Sequence, residues 1–425
     1  MTAPAPVSAA AGTAEPRTFV PGAWIAAFAT AWFGVWMAQL TPVQLLLPQQ
    51  VDDILDPVDW VASVRGFGIV SAVAGVCALV AYPLAGTLSD RTTSRYGRRR
   101  PWIAGGAVLF AVALVLLSVQ HTLVGVAVWW SVTLVGFCVL TAALTATISD
   151  RVPVGQRGTV SGWMSAPQAL GVLFGVAIVA LLALSQVAGY TLVAVVLLVC
   201  VVPFLLRIDD PPLAPGSVPP FSLRTVVAGY WISPREHPDF AWTLTSRILV
   251  MTGNGFGTVL LLYFLEYGPM HRSEDDAENG LLLLTLVYMV FVIVAALVLG
   301  RLSDRIGRRK VMVVVCAALQ GVAALLLAFV PVFGAALIGA ALLGFGFGAF
   351  LAVDQALATQ VLPSAADRGK DLGIMNVAYA VPQALAPLVG GWLVAQTHSF
   401  TPLFLAAGVL AIAGAFAVGP VRSVR

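Results

Sequence analysis

One loop is written into this chain twice. Gly86-Thr-Leu-Ser-Asp90-Arg91, followed by Gly97-Arg98-Arg99, returns as Gly300-Arg-Leu-Ser-Asp304-Arg305, followed by Gly307-Arg308-Arg309. The offset is 304 − 90 = 214 residues, half of a 425-residue chain. A second pair keeps the same register: Pro167-Gln168-Ala169-Leu170 returns as Pro382-Gln383-Ala384-Leu385, with 382 − 167 = 215. Each copy of the loop fills a short basic gap between two long apolar runs. The pattern predicts a duplicated membrane half, all α-helical, with a charged loop at the same place in each copy.

Composition agrees with a lipid solvent. Hydrophobic residues make up 59% of the chain and charged residues 10%, against about 25% charged in soluble domains. The net charge of +3 is too small to argue for nucleic acid. Cys77, Cys138, Cys200 and Cys316 all fall inside apolar runs without CxxC spacing. They read as small core residues, so neither a metal nor a cofactor is expected.

A spanning helix needs about 20 mostly apolar residues, and twelve stretches approach or exceed that. The first set is Gly22–Leu45, Phe67–Leu88, Trp102–Val119, Leu123–Ile148, Val160–Leu184 and Thr191–Leu206. The second is Phe240–Leu265, Leu281–Leu299, Val311–Val330, Phe333–Val361, Leu372–Val394 and Pro402–Gly419. The expected layout is a disordered tail over 1–20, a six-helix bundle over 21–206, and a Pro-rich linker over 207–239. A second bundle over 240–420 and a short tail over 421–425 complete it. Within the linker, Phe221–Ile232 is a candidate interfacial helix.

Basic residues set the orientation. Arg91, Arg95, Arg98, Arg99 and Arg100 follow the second helix, and Arg301, Arg305, Arg308, Arg309 and Lys310 follow the eighth. The opposite face has only Arg65 and Arg272 among Asp52, Asp53, Asp56, Asp59, Glu274, Asp275, Asp276 and Glu278. Both termini are therefore expected on the cytoplasmic side of a multi-pass cell-membrane protein.

Gly-x-x-x-Asp-Arg followed by Gly-Arg-Arg between helices 2 and 3, repeated between helices 8 and 9, resembles the signature loop of the major facilitator superfamily. The longer first copy, Ser89-Asp90-Arg91-Thr92-Thr93-Ser94-Arg95-Tyr96-Gly97-Arg98-Arg99-Arg100-Pro101, is similar to that of the sucrose-transporter and glycoside–pentoside–hexuronide branch. Helix 1 adds Trp36-x-x-Gln39-Leu40-Thr41-Pro42-x-Gln44. The resemblance implies a secondary transporter with two pseudo-symmetric six-helix halves. In it, helix 1 would superpose on helix 7, helix 4 on helix 10, and Asp90 on Asp304. It also implies that Gly86, Asp90, Arg91 and Arg98, with Gly300, Asp304, Arg305 and Arg308, latch one conformational state. Asp90 and Asp304 can serve as anionic partners for a helix N-terminus or a loop arginine, and a carboxylate at a helix N-terminus is worth roughly 0.3–1 kcal/mol, enough to bias two states. The plainer reading of the arginines is positive-inside topology plus ordinary loop salt bridges.

Deep ionisable residues are few. Asp354 on helix 10 and Arg247 on helix 7 each lie about 11 Å in from the same face at 1.5 Å per residue. Leaving either alone costs on the order of 2.5–3.5 kcal/mol, so they are expected to pair, with snorkelling the alternative for Arg247. Helix 4, Leu123–Ile148, lacks the aspartate that the sucrose branch links to protons, and Phe67–Leu88 lacks the sodium-binding acids of melibiose-type relatives. Coupling would then fall to Asp354.

The expected cavity is lined by Trp32, Trp36 and Gln39 on one face of helix 1, and Asn254 and Thr258 on the Arg247 stripe of helix 7. Gln168, Asn376 and Gln383 join them; each could equally bond a neighbouring helix. The expected activity is proton-coupled movement of a small polar organic solute, glycoside-like, by a functional monomer in the bilayer. The alternatives are export of amphipathic compounds and a non-transporting sensor; no nucleophile–base pair suggests an enzyme.

Overall fold

The computed structural model describes residues 18–55, 60–212, 233–306, 309–360 and 368–421. Among these residues there are twelve helical rods and no strand. They are α1 (Gly22–Leu55), α2 (Trp60–Asp90), α3 (Arg100–Ser118), α4 (Leu123–Arg151), α5 (Val154–Leu181) and α6 (Gln186–Arg207). The second set is α7 (Pro238–Tyr267), α8 (Glu274–Ile306), α9 (Arg309–Phe329), α10 (Phe333–Gln360), α11 (Arg368–Thr397) and α12 (Thr401–Ala417). Nine rods carry a full-length apolar window; α5, α11 and α12 carry the shorter stretches Pro167–Leu181, Leu385–Thr397 and Thr401–Ala417. Most of the expected linker, including Phe221–Ile232, lies outside the described residues.

The packing repeats with a shift of six rods. In the first half α1 packs on α5 and α6, α2 on α4, and α3 on α4 and α6. In the second, α7 packs on α11 and α12, α8 on α10, and α9 on α10 and α12. Between the halves α2 lies on α11 and α5 on α8, again exchanged by the same shift. Asp90 ends α2 and Asp304 falls in the last turn of α8, as the duplicated loop requires. This is the major facilitator fold.

The exterior is apolar, with Val124, Leu206 and Phe416 among its most exposed side chains. The interior holds the polar exceptions, among them Gln39, Gln50, Thr243, Ser246, Arg247 and Asn254. That inversion is what lipid demands, because an unsatisfied polar group facing hydrocarbon costs several kcal/mol.

Two departures from regular helix sit at matching places. The sequence reading ends helix 1 at Leu45, but α1 continues to Leu55 through a π-turn, Pro42–Leu46, in which the Leu47 N–H reaches the Pro42 carbonyl. Pro42 has no N–H and its ring crowds the preceding turn, so one wider turn absorbs both defects. The span read as one helix from Phe240 breaks at Val259–Leu260 before resuming at Leu261. Subtracting 215 from 259 gives 44, inside the π-turn.

The halves meet tightly on the face carrying the acidic loops. Backbone contact at the α2–α11 crossing depends on small residues. A Cβ at Gly68 would lie 2.7 Å from the Pro387 carbonyl oxygen, and one at Gly391 would lie 2.8 Å from that of Val64. Gly68→Val is therefore expected to destabilise this conformation by about 1–3 kcal/mol through overpacking. Thermal unfolding in detergent should show it, with Gly105→Val, where a Cβ meets nothing within 4 Å, as the unaffected control.

Candidate functional site

On the basic face, the duplicated loop builds a clasp inside the first half. Arg99 is buried, and its guanidinium bonds Asp90 and Ser89 at the end of α2 and Asp150 on α4 (Nε to Oδ2 2.8 Å). Arg98 shares Asp150 at 2.6 Å. Burial opposes the Arg99 charge, but Asp150 and Asp90 outweigh it and hold its pKa above the usual arginine value. Asp210, just past α6, accepts from the backbone N–H groups of Arg99 and Arg100 at 2.6 and 2.8 Å. It caps the N-terminus of α3, where a carboxylate meets the positive end of the helix dipole. Gly97 has φ +103°, and a Cβ there would collide with Asp210, so this loop position requires glycine.

The sequence reading gave Asp90 either a helix N-terminus or a loop arginine. The structure gives it the arginine and gives the helix to Asp210. Asp150 and Asp210 were not singled out, although Ser149-Asp150-Arg151 repeats the Ser-Asp-Arg of the loop. Arg91 turns back onto α2, its N–H bonding the Leu88 carbonyl, and a Cβ at Gly86 would meet nothing within 4 Å. For Gly300, Asp304 and Arg305 the backbone alone is described, and Arg308 lies outside the described residues.

Deeper in, α1 carries an aromatic column. Trp24 stacks on Phe28 (5.2 Å), Phe28 meets Trp32 edge-on (6.2 Å), and Trp32 lies 5.7 Å from Trp36. The Trp36 indole donates to the Met164 carbonyl on α5 at 3.1 Å and its ring approaches Phe137 on α4. Trp32 is 3% exposed and Gln39 8%, and both keep a buried polar atom, Nε1 and Oε1, without a partner among the described residues. Such orphaned groups cost about 1–3 kcal/mol each unless something else meets them.

In the second half, Asn254 is a junction of three rods. Its Nδ2 donates to the Tyr288 hydroxyl on α8 at 3.2 Å, and its Oδ1 accepts from Gln383 on α11 at 3.4 Å. Thr258 bonds the Asn254 carbonyl at 3.0 Å. Three expected site residues thus come together, and Tyr288, stacked on Phe347, is an addition. Beside them a cavity of about 40 Å³ is lined by Gln44, Thr258, Thr285 and Tyr288 with apolar neighbours, room for a few waters. Gln168 is half-buried on α5. Arg247 is 1% exposed, so it does not snorkel. Asp354 and Asn376 fall on α10 and α11, and their side chains lie outside the described residues.

Across the acidic face, polar and aromatic contacts join the halves. The Tyr263 hydroxyl donates to the Pro48 carbonyl at 2.9 Å, Tyr267 donates to Asp52, and Gln49 donates to Glu278. Trp60 on α2 stacks between Tyr267 (5.8 Å) and Phe400 (5.5 Å). Both tyrosine contacts span 215 residues, so each joins repeat-equivalent positions on the pseudo-two-fold axis. The same offset matches Gln39 with Asn254 and Trp32 with Arg247.

Twelve apolar rods, a paired basic loop and an axial polar core define a multi-pass membrane carrier rather than an enzyme. The sequence profile of the Major Facilitator Superfamily matches residues 19–275 and 273–424, and the chain belongs to that family of transporters. An uncharacterised MFS-type transporter of Mycobacterium tuberculosis is 27% identical over 384 residues, covering 84% of each chain. A sucrose transport protein of Arabidopsis thaliana is 35% identical over 83 residues, 20% of this chain and 14% of that one. Among solved structures, the human organic anion transporter MFSD10 superposes with TM-score 0.71 at 16% identity, covering 94% of this chain and all (100%) of that one. The xylose transporter XylE of E. coli, in a partially occluded inward-open state, gives 0.67 at 13%, covering 93% and 96%.

Asp210→Ala should cost about 0.5–2 kcal/mol through the lost cap. Asp209→Ala should change almost nothing, because the partner of Arg151 is 90% exposed and surface pairs contribute little. Chemical unfolding of the two variants side by side checks the contrast.

Proposed function

We propose that this transporter moves a small, uncharged polar organic solute, glycoside- or sugar-like, by alternating access with proton coupling. The observation that carries the reading is the inventory of polar groups at repeat-equivalent depth. Trp32 Nε1 and Gln39 Oε1 are buried without a partner among the described residues, and Asn254, Gln383 and Tyr288 form a neutral cluster. Indole, amide and hydroxyl groups match the donors and acceptors of a polyol, and an indole face suits a sugar ring. The partial match to a plant sucrose transport protein supports the same substrate class.

The aromatic column on α1 favours a second reading, export of amphipathic compounds. A panel of solutes against the purified protein separates the two, since a ligand at 100 times its Kd stabilises by about 2.7 kcal/mol. Neutral glycosides should raise the unfolding temperature of the wild type and leave Asn254→Ala unmoved. A shift by amphipathic dyes with none by glycosides would overturn the substrate class.

Asp354, paired with Arg247, is our candidate for the coupling proton. Arg247 is wholly buried, which supports a charged neighbour on the facing rod, because a buried cation needs one. In vesicles with an imposed pH gradient, Asp354→Asn should abolish accumulation while exchange down a solute gradient persists. Accumulation by the variant at wild-type level would remove Asp354 from the coupling path.

In the same reading the basic face is cytoplasmic, the protein works as a monomer, and six-helix domains over 21–206 and 240–420 flank the linker 207–239. Asp90, Arg91 and Arg98, with Asp304, Arg305 and Arg308, latch the state in which that face closes. The unfilled space beside Gly86 and the tight seam on the acidic face support a conformation in which this latch is released.

A further inference from the structure

The cavity beside Asn254 is bordered by both irregular turns. Gln44 comes from the π-turn of α1, and Thr258 and Leu261 flank the interruption of α7. Thr285 and Tyr288 on α8 close it from another side. Gln44 belongs to the first half and the other liners to the second, which sets the cavity on the boundary between the bundles. Gly257 and Gly339 also line it, and a Cβ at either would press on a neighbouring leucine, Leu343 at 3.2 Å or Leu327 at 3.3 Å. Glycine on two rods keeps the space open.

Its polar groups have bonding capacity to spare. Thr285 is 5% exposed, and neither its hydroxyl nor the Gln44 amide has a hydrogen-bond partner among the described residues. Thr258 spends its hydrogen on the Asn254 carbonyl, which leaves its oxygen able to accept. The Tyr288 oxygen receives the Asn254 amide at 3.2 Å and so links the cavity to the neutral cluster. A buried hydroxyl left unpaired is costly, so water or a ligand hydroxyl must meet it.

At about 40 Å³ the cavity is far too small for a sugar ring and large enough for a one-carbon arm with its hydroxyl. We propose that it is a specificity subsite for the primary hydroxymethyl arm of a hexopyranoside, with Thr285 and Gln44 as its determinants. The inference rests on the neutral-glycoside reading above and narrows it from sugar-like solutes to hexosides. Asn254 meets the ring, and its partner Tyr288 opens on the cavity. The step between them is one hydrogen bond long, which a one-carbon arm spans. A primary alcohol offers one donor and two acceptor sites, and a threonine hydroxyl with a glutamine amide can satisfy all of them.

The same chemistry ranks three related solutes. A hexoside fills the cavity and pairs its polar groups. A pentoside lacks the arm, and waters keep those groups bonded at small cost. A 6-deoxyhexoside sets a methyl group against Thr285 and Gln44, displacing the waters without replacing their bonds. It should bind worst of the three.

Isothermal titration of the purified full-length protein tests this order. The probes are methyl glucopyranoside, methyl xylopyranoside and methyl 6-deoxyglucopyranoside, with their galacto-configured counterparts. The hexoside should bind tightest and the 6-deoxy compound weakest, by about 10- to 100-fold. Thr285→Val, which exchanges the hydroxyl for a methyl group, should bring the 6-deoxy compound level with the hexoside or above it. Thr285→Ser should restore the wild-type order, and Gln44→Leu carries the same test if Thr285→Val does not insert. Equal affinity for the three, or an order unchanged by Thr285→Val, would overturn the subsite and leave the cavity to water alone, with the glycoside reading still standing. Binding by none of these glycosides would overturn that reading and the subsite with it.

Discussion

Two tyrosines on the pseudo-symmetry axis hold the observed conformation together. Tyr263 reaches Pro48 and Tyr267 reaches Asp52, each across 215 residues, so the first rods of the two halves are pinned at equivalent points. Contacts on an axis leave the rods free to tilt about it. The irregular turns at Pro42–Leu46 and Val259–Leu260 lie just inside those points, where a rod that must tilt benefits from a weakened hydrogen-bond ladder. Backbone-to-backbone packing of Gly68 and Gly391 against the partner rods completes the closure.

The basic face works differently. Among the described residues its charges are spent within one half: Arg99 gathers α2 and α4, and Asp210 ties the chain leaving α6 to the start of α3. A rigid half is what rocking requires, since a motion of one bundle against the other is lost if either bundle deforms. The geometry thus separates an internal clasp, buried and charge-assisted, from an inter-half seam made of neutral donors, carboxylates and stacked rings. The first lies inside one bundle and does not cross to the other. The second is poised to break.

Much of this was legible in the sequence. The 214–215 residue offset, the twelve apolar runs and the face-specific arginines gave the repeat and its rods, because lipid imposes length and polarity rules that survive in composition. Side-chain partners were less legible. Asp210 lies in a stretch read only as a linker, and it becomes a cap through a fold-level approach of α6 to α3. Tyr288 sits in an unremarkable apolar run and gains meaning from Asn254 on another rod. Asp52 and Glu278 carried a signal for sidedness, and nothing local distinguished them from rim acids such as Asp275. Pro42 did announce trouble for helix 1, but proline marks a defect without saying that the helix resumes to Leu55.

The central claim is that groups at the depth of Gln39 and Asn254 are reached from each face in turn. Alkylation of Gln39→Cys, in the cysteine-free protein and in sealed vesicles, measures this directly. A membrane-impermeant maleimide is applied from one side and then, in a separate sample, from the other. Alternating access predicts labelling from both faces, slowed by a solute that binds, with conditions that close the acidic-face seam suppressing labelling from that side only. Labelling confined to one face under every condition would contradict it.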